Sequence, residues 1–428
     1  MQSFSKTASA GFALNEQQVR DVIAKTCPAE NYRGKKILLI VPDGTRTAPV
    51  GLMFKTLHEQ VAPATKSFDV LIALGTHQPM SEAAICKRLD ISESERREKY
   101  GRVKFFNHAW NDPRQLKDIG TISADEISKL TNGLFAMDVP VSVNKMVFDY
   151  GQIIIVGPVF PHEVVGFSGG NKYLFPGVSG PDVLNFFHWL GAVVTNPMII
   201  GNKWTPVRKV VDRAASMVKV DKLCFAMVVA PNKDLVGLFS GTPETAWDNA
   251  SELSRKVHIT YKDKPFHTIL SCAPPMYEEI WTAGKCMYKL EPVLADGGEI
   301  IIYAPHINEV CVSHGSHIEQ IGYHCRDYFL QQWGKFKDVP WSVLAHSAHV
   351  RGIGTMANGV EKCRAQVTLA TQIPPERCKQ INLGYRDPKT ICIADFANRE
   401  DEGVLLVPKA GEMLFQLKNP PAWAKGQN

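Results

Sequence analysis

KKILLIVPDGTR, residues 35–46, decides the fold. Five apolar residues, Ile37 to Val41, run without a polar break and stop at Pro42-Asp43-Gly44. A strand that is apolar on both faces and bounded by turn chemistry belongs in the middle of a parallel sheet. Working outward, LMFKTLHEQVA (52–62) repeats its apolar residues at helical spacing, and DVLIALGTH (69–77) is a second strand of the same kind. A right-handed crossover then makes the two strands parallel. MVFDYGQIIIVGPV (146–159) supplies another pair of strand candidates. A second series starts at FHTILSCAPP (266–275), continues as a helix through Met287, and returns as the strand EIIIYAP (299–305), with further strands expected near SVLAHSA (342–348) and VLLVPK (404–409). The polar, lysine-rich stretch SRKVHITYKDKPFH (254–267) separates the two series, and KNPPAWAKGQN (418–428) reads as a tail. The expectation is an α/β protein of two α/β domains with mainly parallel sheets. The expected division is residues 1–262 and residues 263–428, with the active site in the cleft between the two domains.

Composition narrows the function. The chain has 428 residues, 45% hydrophobic and 21% charged, which is globular and too long for one core. Its net charge of +5 is spread out, with no Lys/Arg run to track a phosphate backbone, so nucleic acid is not an expected partner. No stretch is long and apolar enough for a membrane span, and the first twenty residues lack a secretory pattern. Ten cysteines without a CxxC pair read as reduced thiols of a cytoplasmic protein.

Polar clusters fall at three strand ends. Asp43, Thr45 and Arg46 follow the first strand, where the guanidinium can grip a carboxylate through two bonds. The alternative is an ordinary capped turn with a surface arginine. His77 stands at the tip of the second strand, in GTHQPMSE (75–82), as a general base or as a structural histidine; Ser81 suits a helix N-cap. The densest cluster is PHEVVGFSGGNKYLFPG (161–177). Its glycines let backbone approach a ligand, and Lys172 emerges from the glycine turn as a phosphate ligand or a nucleophile. It matches neither GxxxxGK[ST] nor GxGxxG, so ordinary ATP and NAD sites are not indicated. His188, in FFHW (186–189), reads as a metal ligand or a core histidine. His306, His314, His317 and His324 with Cys311 and Cys325 have metal-binding composition at irregular spacing, which argues against a closed zinc site. His346 and His349 read as loop or core residues, and the Asn107-His108 strand end as architectural.

Taken in order along the chain, PDGTR, GTHQPM and PHEVVGFSGGNKYLFPG with the downstream His188 resemble the lactate racemase family, over about residues 35–411. The resemblance implies a nickel pincer nucleotide, a pyridinium-3,5-bisthiocarboxylic acid mononucleotide holding nickel through S, C and S and joined to Lys172 by a thioamide. It makes His188 the protein ligand to nickel, His77 and His162 the acid/base pair, and Arg46 the substrate-carboxylate arginine. Asp43, Thr45, Ser168, Gly169 and Gly170 fall in cofactor-holding segments. Trp281, Thr282, Lys285 and Trp341 are substrate-side positions, of which Trp281 and Thr282 depart from the family's Tyr-Gln pattern.

The implied reaction inverts C2 of a 2-hydroxy carboxylate. Removing the α-hydrogen as a proton would place a second negative charge beside the carboxylate. Moving it as hydride avoids this and passes through a planar 2-keto acid. One histidine on each side serves each enantiomer. Lactate, malate, another short acid or a longer aldonate all satisfy this pattern. A redox or hydrolytic enzyme, or a non-catalytic binding protein on the same fold, is the competing class. Expected partners are the small 2-hydroxy acid and, transiently, the enzymes that make the nucleotide.

Overall fold

The computed structural model describes residues 2–424, so the last four residues of the expected tail lie outside it. The chain divides into two compact units, and each is discontinuous. The first is Met1–Phe160, Ser168–Leu184 and Arg208–Val257; the second is Pro161–Phe167, Asn185–Val207 and His258–Asn428. This differs from the single expected cut at 262/263. Pairing explains why: Ile259–Lys262 lies parallel to Leu414–Leu417, which places it with the C-terminal part. Asn196 Nδ2 donates to Tyr288 O at 2.9 Å and to Glu291 Oε2 at 2.7 Å, which draws 185–207 to the same side.

The first unit is built on a seven-stranded mixed sheet. Its order is Ser5–Thr7, Leu235–Gly241, Asp221–Val229, Gln152–Pro158, Lys36–Pro42, Ser67–Ala73, Phe105–Asn107. The last five are mutually parallel, and Leu235–Gly241 pairs antiparallel with both of its neighbours. Ile37 to Val41 are fully buried, as a strand covered on both faces must be. Helix Val50–Val61 makes the crossover and buries Val50, Met53, Phe54, Leu57 and Val61 along one stripe. Of the expected strand pair in 146–159 only Gln152–Pro158 forms, because Lys145–Asp149 is a 3₁₀ turn capped by Asn144.

The second unit carries a five-stranded, all-parallel sheet in the order Gly384–Tyr385, Gln366–Thr371, Leu294–Ala304, Phe266–Cys272, Val404–Val407. The expected strand at 342–348 is instead part of a helix, Trp341–Arg351, with every residue from Ser342 to Val350 buried. A short apolar run buried on all sides has the same sequence signal in either conformation. Among the described residues no helix is long and apolar enough to cross a membrane.

His108, at the end of Phe105–Asn107, is architectural. Its Nε2 lies 2.9 Å from Ser179 O, and Asn144 Nδ2 lies 3.2 Å from its Nδ1. Burial pushes the ring down to about 4, so at neutral pH it is uncharged. A histidine with a lowered folded pKa gives stability that is complete above the unfolded value and is lost as pH falls from there toward the folded one. Between pH 7 and pH 4 the wild type should therefore lose roughly 3 kcal/mol that His108→Gln does not. Urea titrations at the two pH values check this, and equal losses would refute it.

Candidate functional site

In the first unit, the expected residues gather at the carboxyl edge of the parallel strands. Strand Lys36–Pro42 delivers Asp43, and strand Ser67–Ala73 delivers the turn that carries His77. Asp43 Oδ2 lies 2.5 Å from His77 Nδ1, while its Oδ1 accepts from Thr45 N at 3.1 Å and Thr45 Oγ1 at 2.7 Å. Burial works to raise the Asp43 carboxyl, but the charge and hydrogen bond of His77 with the two bonds from Thr45 outweigh it and hold the group well below the usual carboxylate range. Asp43 and Thr45, expected in a cofactor-holding segment, thus use their side chains on each other and on His77. An ionised carboxylate on Nδ1 fixes the tautomer that leaves Nε2 as the working nitrogen.

The turn bearing His77 is tied to the one bearing Lys172. Gly75, at φ +56°, donates its N–H to Gly177 O at 3.0 Å. Gly177 in turn donates to Lys172 O at 3.1 Å, and Lys172 N donates to Gly169 O at 3.2 Å. Lys172 sits half-buried in the 3₁₀ turn Gly170–Tyr173. Burial raises the neighbouring Tyr173 hydroxyl, while Arg46 and Arg88, close enough to act on it, favour its ionised form. Arg46, itself half-buried, therefore shares this edge with Asp43 and the lysine turn.

The glycine segment is held from beneath by residues that the sequence reading passed over. Arg208 is fully buried, stacks 4.0 Å over the Trp247 ring, and donates to Gly169 O at 3.4 Å. A Cβ on Gly170 would stand 2.8 Å from Trp247 Cβ, and one on Gly169 would stand 2.6 Å from Val159 Cγ2. These glycines are required by close packing as well as by their positive φ. Asn171 Nδ2 is held by Asp212 Oδ1 at 3.0 Å and Glu244 Oε1 at 2.7 Å. Ser168 Oγ accepts from Phe160 N at 2.9 Å and Ser168 N donates to Phe160 O at 2.8 Å, closing the base of the 161–167 excursion.

The second unit carries His162, His188 and the substrate-side positions. His162 is buried in a two-residue strand paired with Gly166–Phe167. Its Nδ1 accepts from Val164 N at 3.2 Å, so the neutral ring bears its proton on Nε2; Glu163 Oε2 lies 3.4 Å from the same Nδ1. His188 is half-buried on helix Pro181–Val194, against the Phe187 ring at 4.3 Å. Trp281 packs on His346 at 4.1 Å and on His314 at 4.8 Å between ring centroids. Lys285 is buried with Nζ 4.7 Å from the Tyr277 centroid. Thr282 Oγ1 donates to Glu279 O, and Trp341 Nε1 donates to Lys337 O, so both side chains have structural bonds. Trp341 ends a ladder of rings, Trp189–Trp333–Trp341, with centroids 5.7 and 5.3 Å apart.

His346 and His349 are the functional candidates that sequence reasoning missed. His346 Nε2 lies 3.1 Å from Tyr323 Oη, and burial, with the nearby His349, His314 and His188, holds the ring well below its ordinary value. On a helix, positions three apart share a face. Read as a strand, the same two residues point to opposite sides. The composite cluster of His306, His314, His317, His324, Cys311 and Cys325 does not assemble as one site. His306 Nε2 bonds Tyr277 O and His314 packs under Trp281, while His324 and Cys325 meet Glu361 instead.

Comparisons with known proteins bear on the family resemblance and the fold. The family model of the lactate racemase N-terminal domain matches residues 13–198. The lactate racemase of Thermoanaerobacterium thermosaccharolyticum is 25% identical over 282 residues, which are 63% of this chain and 60% of that protein. That of Lactiplantibacillus plantarum is 26% identical over 287 residues, covering 64% and 61%. The chain thus spans about three fifths of the length of these curated relatives. A crystal structure of a Thermotoga maritima protein is 34% identical with a TM-score of 0.87, covering 96% of this chain and all of that one. The lactate racemase apoprotein of T. thermosaccharolyticum has a TM-score of 0.68 at 17% identity, over 93% and 92% of the two chains, and shares the fold. With the strand-end motifs in order and the family's N-terminal domain model matched over residues 13–198, this chain is similar to the lactate racemases.

Proposed function

We propose that the protein is a racemase or epimerase that inverts C2 of a 2-hydroxy carboxylate with a lysine-linked nickel pincer nucleotide. The observation that carries this reading is the Asp43–His77 pair at the sheet edge it shares with Arg46, tied through Gly75 and Gly177 to the turn of Lys172. The donor set fits the group. Lys172 offers an amine for the thioamide. His188 offers an imidazole nitrogen, which suits Ni(II), and among the described residues it stands in no group of three or more His, Cys, Asp or Glu able to hold a metal by themselves. A nickel ion there needs its other ligands from the nucleotide. When bound, the nucleotide supplies an electrophilic carbon that takes up and returns the substrate's α-hydrogen as hydride.

The chain's own residues do the rest. Arg46 grips the carboxylate and holds it while C2 passes from tetrahedral to planar and back. His77, oriented by Asp43, takes the hydroxyl proton through Nε2. His162 is the complementary acid: in its protonated form it returns a proton to the oxygen of the keto intermediate and is left as the neutral base. For the opposite enantiomer the two exchange roles. Trp281 and Lys285 line the substrate side in this reading, and the cofactor-synthesis enzymes are transient partners.

Intact-protein mass and nickel content, on protein made alongside those enzymes, test the reading. An added mass at Lys172 with one nickel per chain supports it, and turnover is then screened over lactate, malate, other short 2-hydroxy acids and aldonates. No adduct, with a control racemase loaded in the same cells, sinks it. Arg46→Lys keeps the charge but loses the fork. It should lower kcat/KM by roughly 10–100-fold, mainly through KM, for every substrate the screen finds; an unchanged kcat/KM contradicts the carboxylate role.

A further inference from the structure

A second group of metal-ligating side chains lies in the C-terminal unit. Cys325 precedes helix Arg326–Gln331, and Glu361 and Cys363 stand on the second strand of the hairpin formed by Gly354–Ala357 and Val360–Cys363. Residues two apart on a strand project from one face, and here both are half-buried while their neighbours Val360 and Lys362 are exposed. Gly354 faces Cys363 in the hairpin; a Cβ there would stand 3.0 Å from Cys325 Cβ and 3.0 Å from Cys363 Cα. Its lack of a side chain is what lets the two cysteines meet.

The two sulfurs and a Glu361 carboxylate oxygen all lie within 4.8 Å of one another. The carboxylate is already aimed: Oε1 accepts from Cys325 N at 2.6 Å, and Oε2 lies 2.7 Å from His324 Nδ1. The His324 ring is itself fixed, stacked on Tyr328 at 3.6 Å with 7° between the planes. An anchored carboxylate beside two thiols, braced by a histidine, is the arrangement of metal ligands with an outer shell.

We propose that Cys325, Glu361 and Cys363 bind one zinc ion, with water in the fourth position and His324 holding the carboxylate from behind. Two sulfurs and one oxygen suit zinc among the divalent metals. Ligand atoms around tetrahedral zinc stand about 3.3–3.8 Å apart, so closing the site needs contraction of about 1.5 Å at most. Binding releases the two thiol protons to solvent and changes no oxidation state. The ion would tie the start of one helix to a hairpin 36 residues further along the chain. The inference is independent of the racemase reading, because neither Lys172 nor His188 takes part.

The test uses the full chain, purified under reductant without nucleotide-synthesis enzymes, stripped of metal and titrated with zinc(II) and with cobalt(II). Wild type and His188→Ala should each bind one zinc per chain, and cobalt should give a thiolate charge-transfer band with tetrahedral visible bands. His324→Gln should weaken zinc by roughly 10–100-fold, and Cys363→Ser or Glu361→Gln by more than that. Circular dichroism confirms that each variant is folded. Should the serine variant fail to fold, protection of Cys325 and Cys363 from alkylation by zinc in the wild type replaces it. Free thiols with no zinc bound overturn the proposal. So does an intact mass two hydrogens lighter, which would mark a Cys325–Cys363 disulfide, or zinc retained in folded Cys363→Ser.

Discussion

Lys172→Ala should leave a folded protein with no attached nucleotide, no nickel and no racemisation above the uncatalysed level. Backbone bonds from Lys172 N to Gly169 O and from Gly177 N to Lys172 O help close the turn that carries the lysine, and both survive the substitution. The side chain is half-buried, so stability should change by no more than about 1 kcal/mol. Loss of function with folding intact then points to the amine itself. His188→Ala is the matching control, because it should keep the adduct and lose the nickel. Mass spectrometry and metal analysis on the two proteins separate attachment from metal binding. Wild-type turnover in Lys172→Ala would end the assignment of this lysine.

The next largest effect is expected from Asp43→Asn. In the wild type one carboxylate oxygen serves Thr45 and the other serves His77. An amide has a single acceptor oxygen. If Thr45 keeps it, the NH₂ group faces His77 Nδ1 and drives the ring proton to Nε2, which is the wrong tautomer for a base. A loss of about 10²–10⁴-fold in kcat is expected, with KM little changed, and His77→Ala should fall in the same range. Thr45→Ala, which leaves the His77 bond in place, should be much milder. Because Asp43 is held below the ordinary carboxylate range, its share of stability is present above the unfolded value near ~4 and is lost only as pH falls through the folded one. Its charge therefore contributes no inflection to the rate profile near neutrality. A kcat for Asp43→Asn equal to that of wild type would show that the pair is structural.

What the sequence made legible was set by burial. Ile37 to Val41 and Val70 to Ile72 are covered on both faces, so their composition alone places them in a parallel sheet, and the residues after them must lie at its carboxyl edge. The identities of Asp43, Arg46 and His77 as site candidates followed from that. The bond between Asp43 and His77 did not, because they are 34 residues apart and only adjacent strand ends bring them together. Helix Trp341–Arg351 was read as a strand because its apolar run carries no amphipathic signal, and with it went the shared face of His346 and His349. Arg208 and Trp247 were invisible for another reason. Their job is to support Gly169 and Gly170 from a part of the chain with no motif of its own.

The division of the chain into two interleaved units has a consequence for biosynthesis. The polypeptide passes from one unit to the other five times, after Phe160, Phe167, Leu184, Val207 and Val257. While the ribosome is still making the C-terminal part, residues 161–167 and 185–207 have already emerged without the strands and helices they pack with. A fragment ending near residue 262 would leave those same segments with their apolar side chains in water. Such a protein gains its partners late and all together, so folding is expected to be slow and to need protection from association in the meantime. It also means that the stretch matched by the N-terminal family model, 13–198, is a unit of sequence and not one that can be expected to fold when cut out.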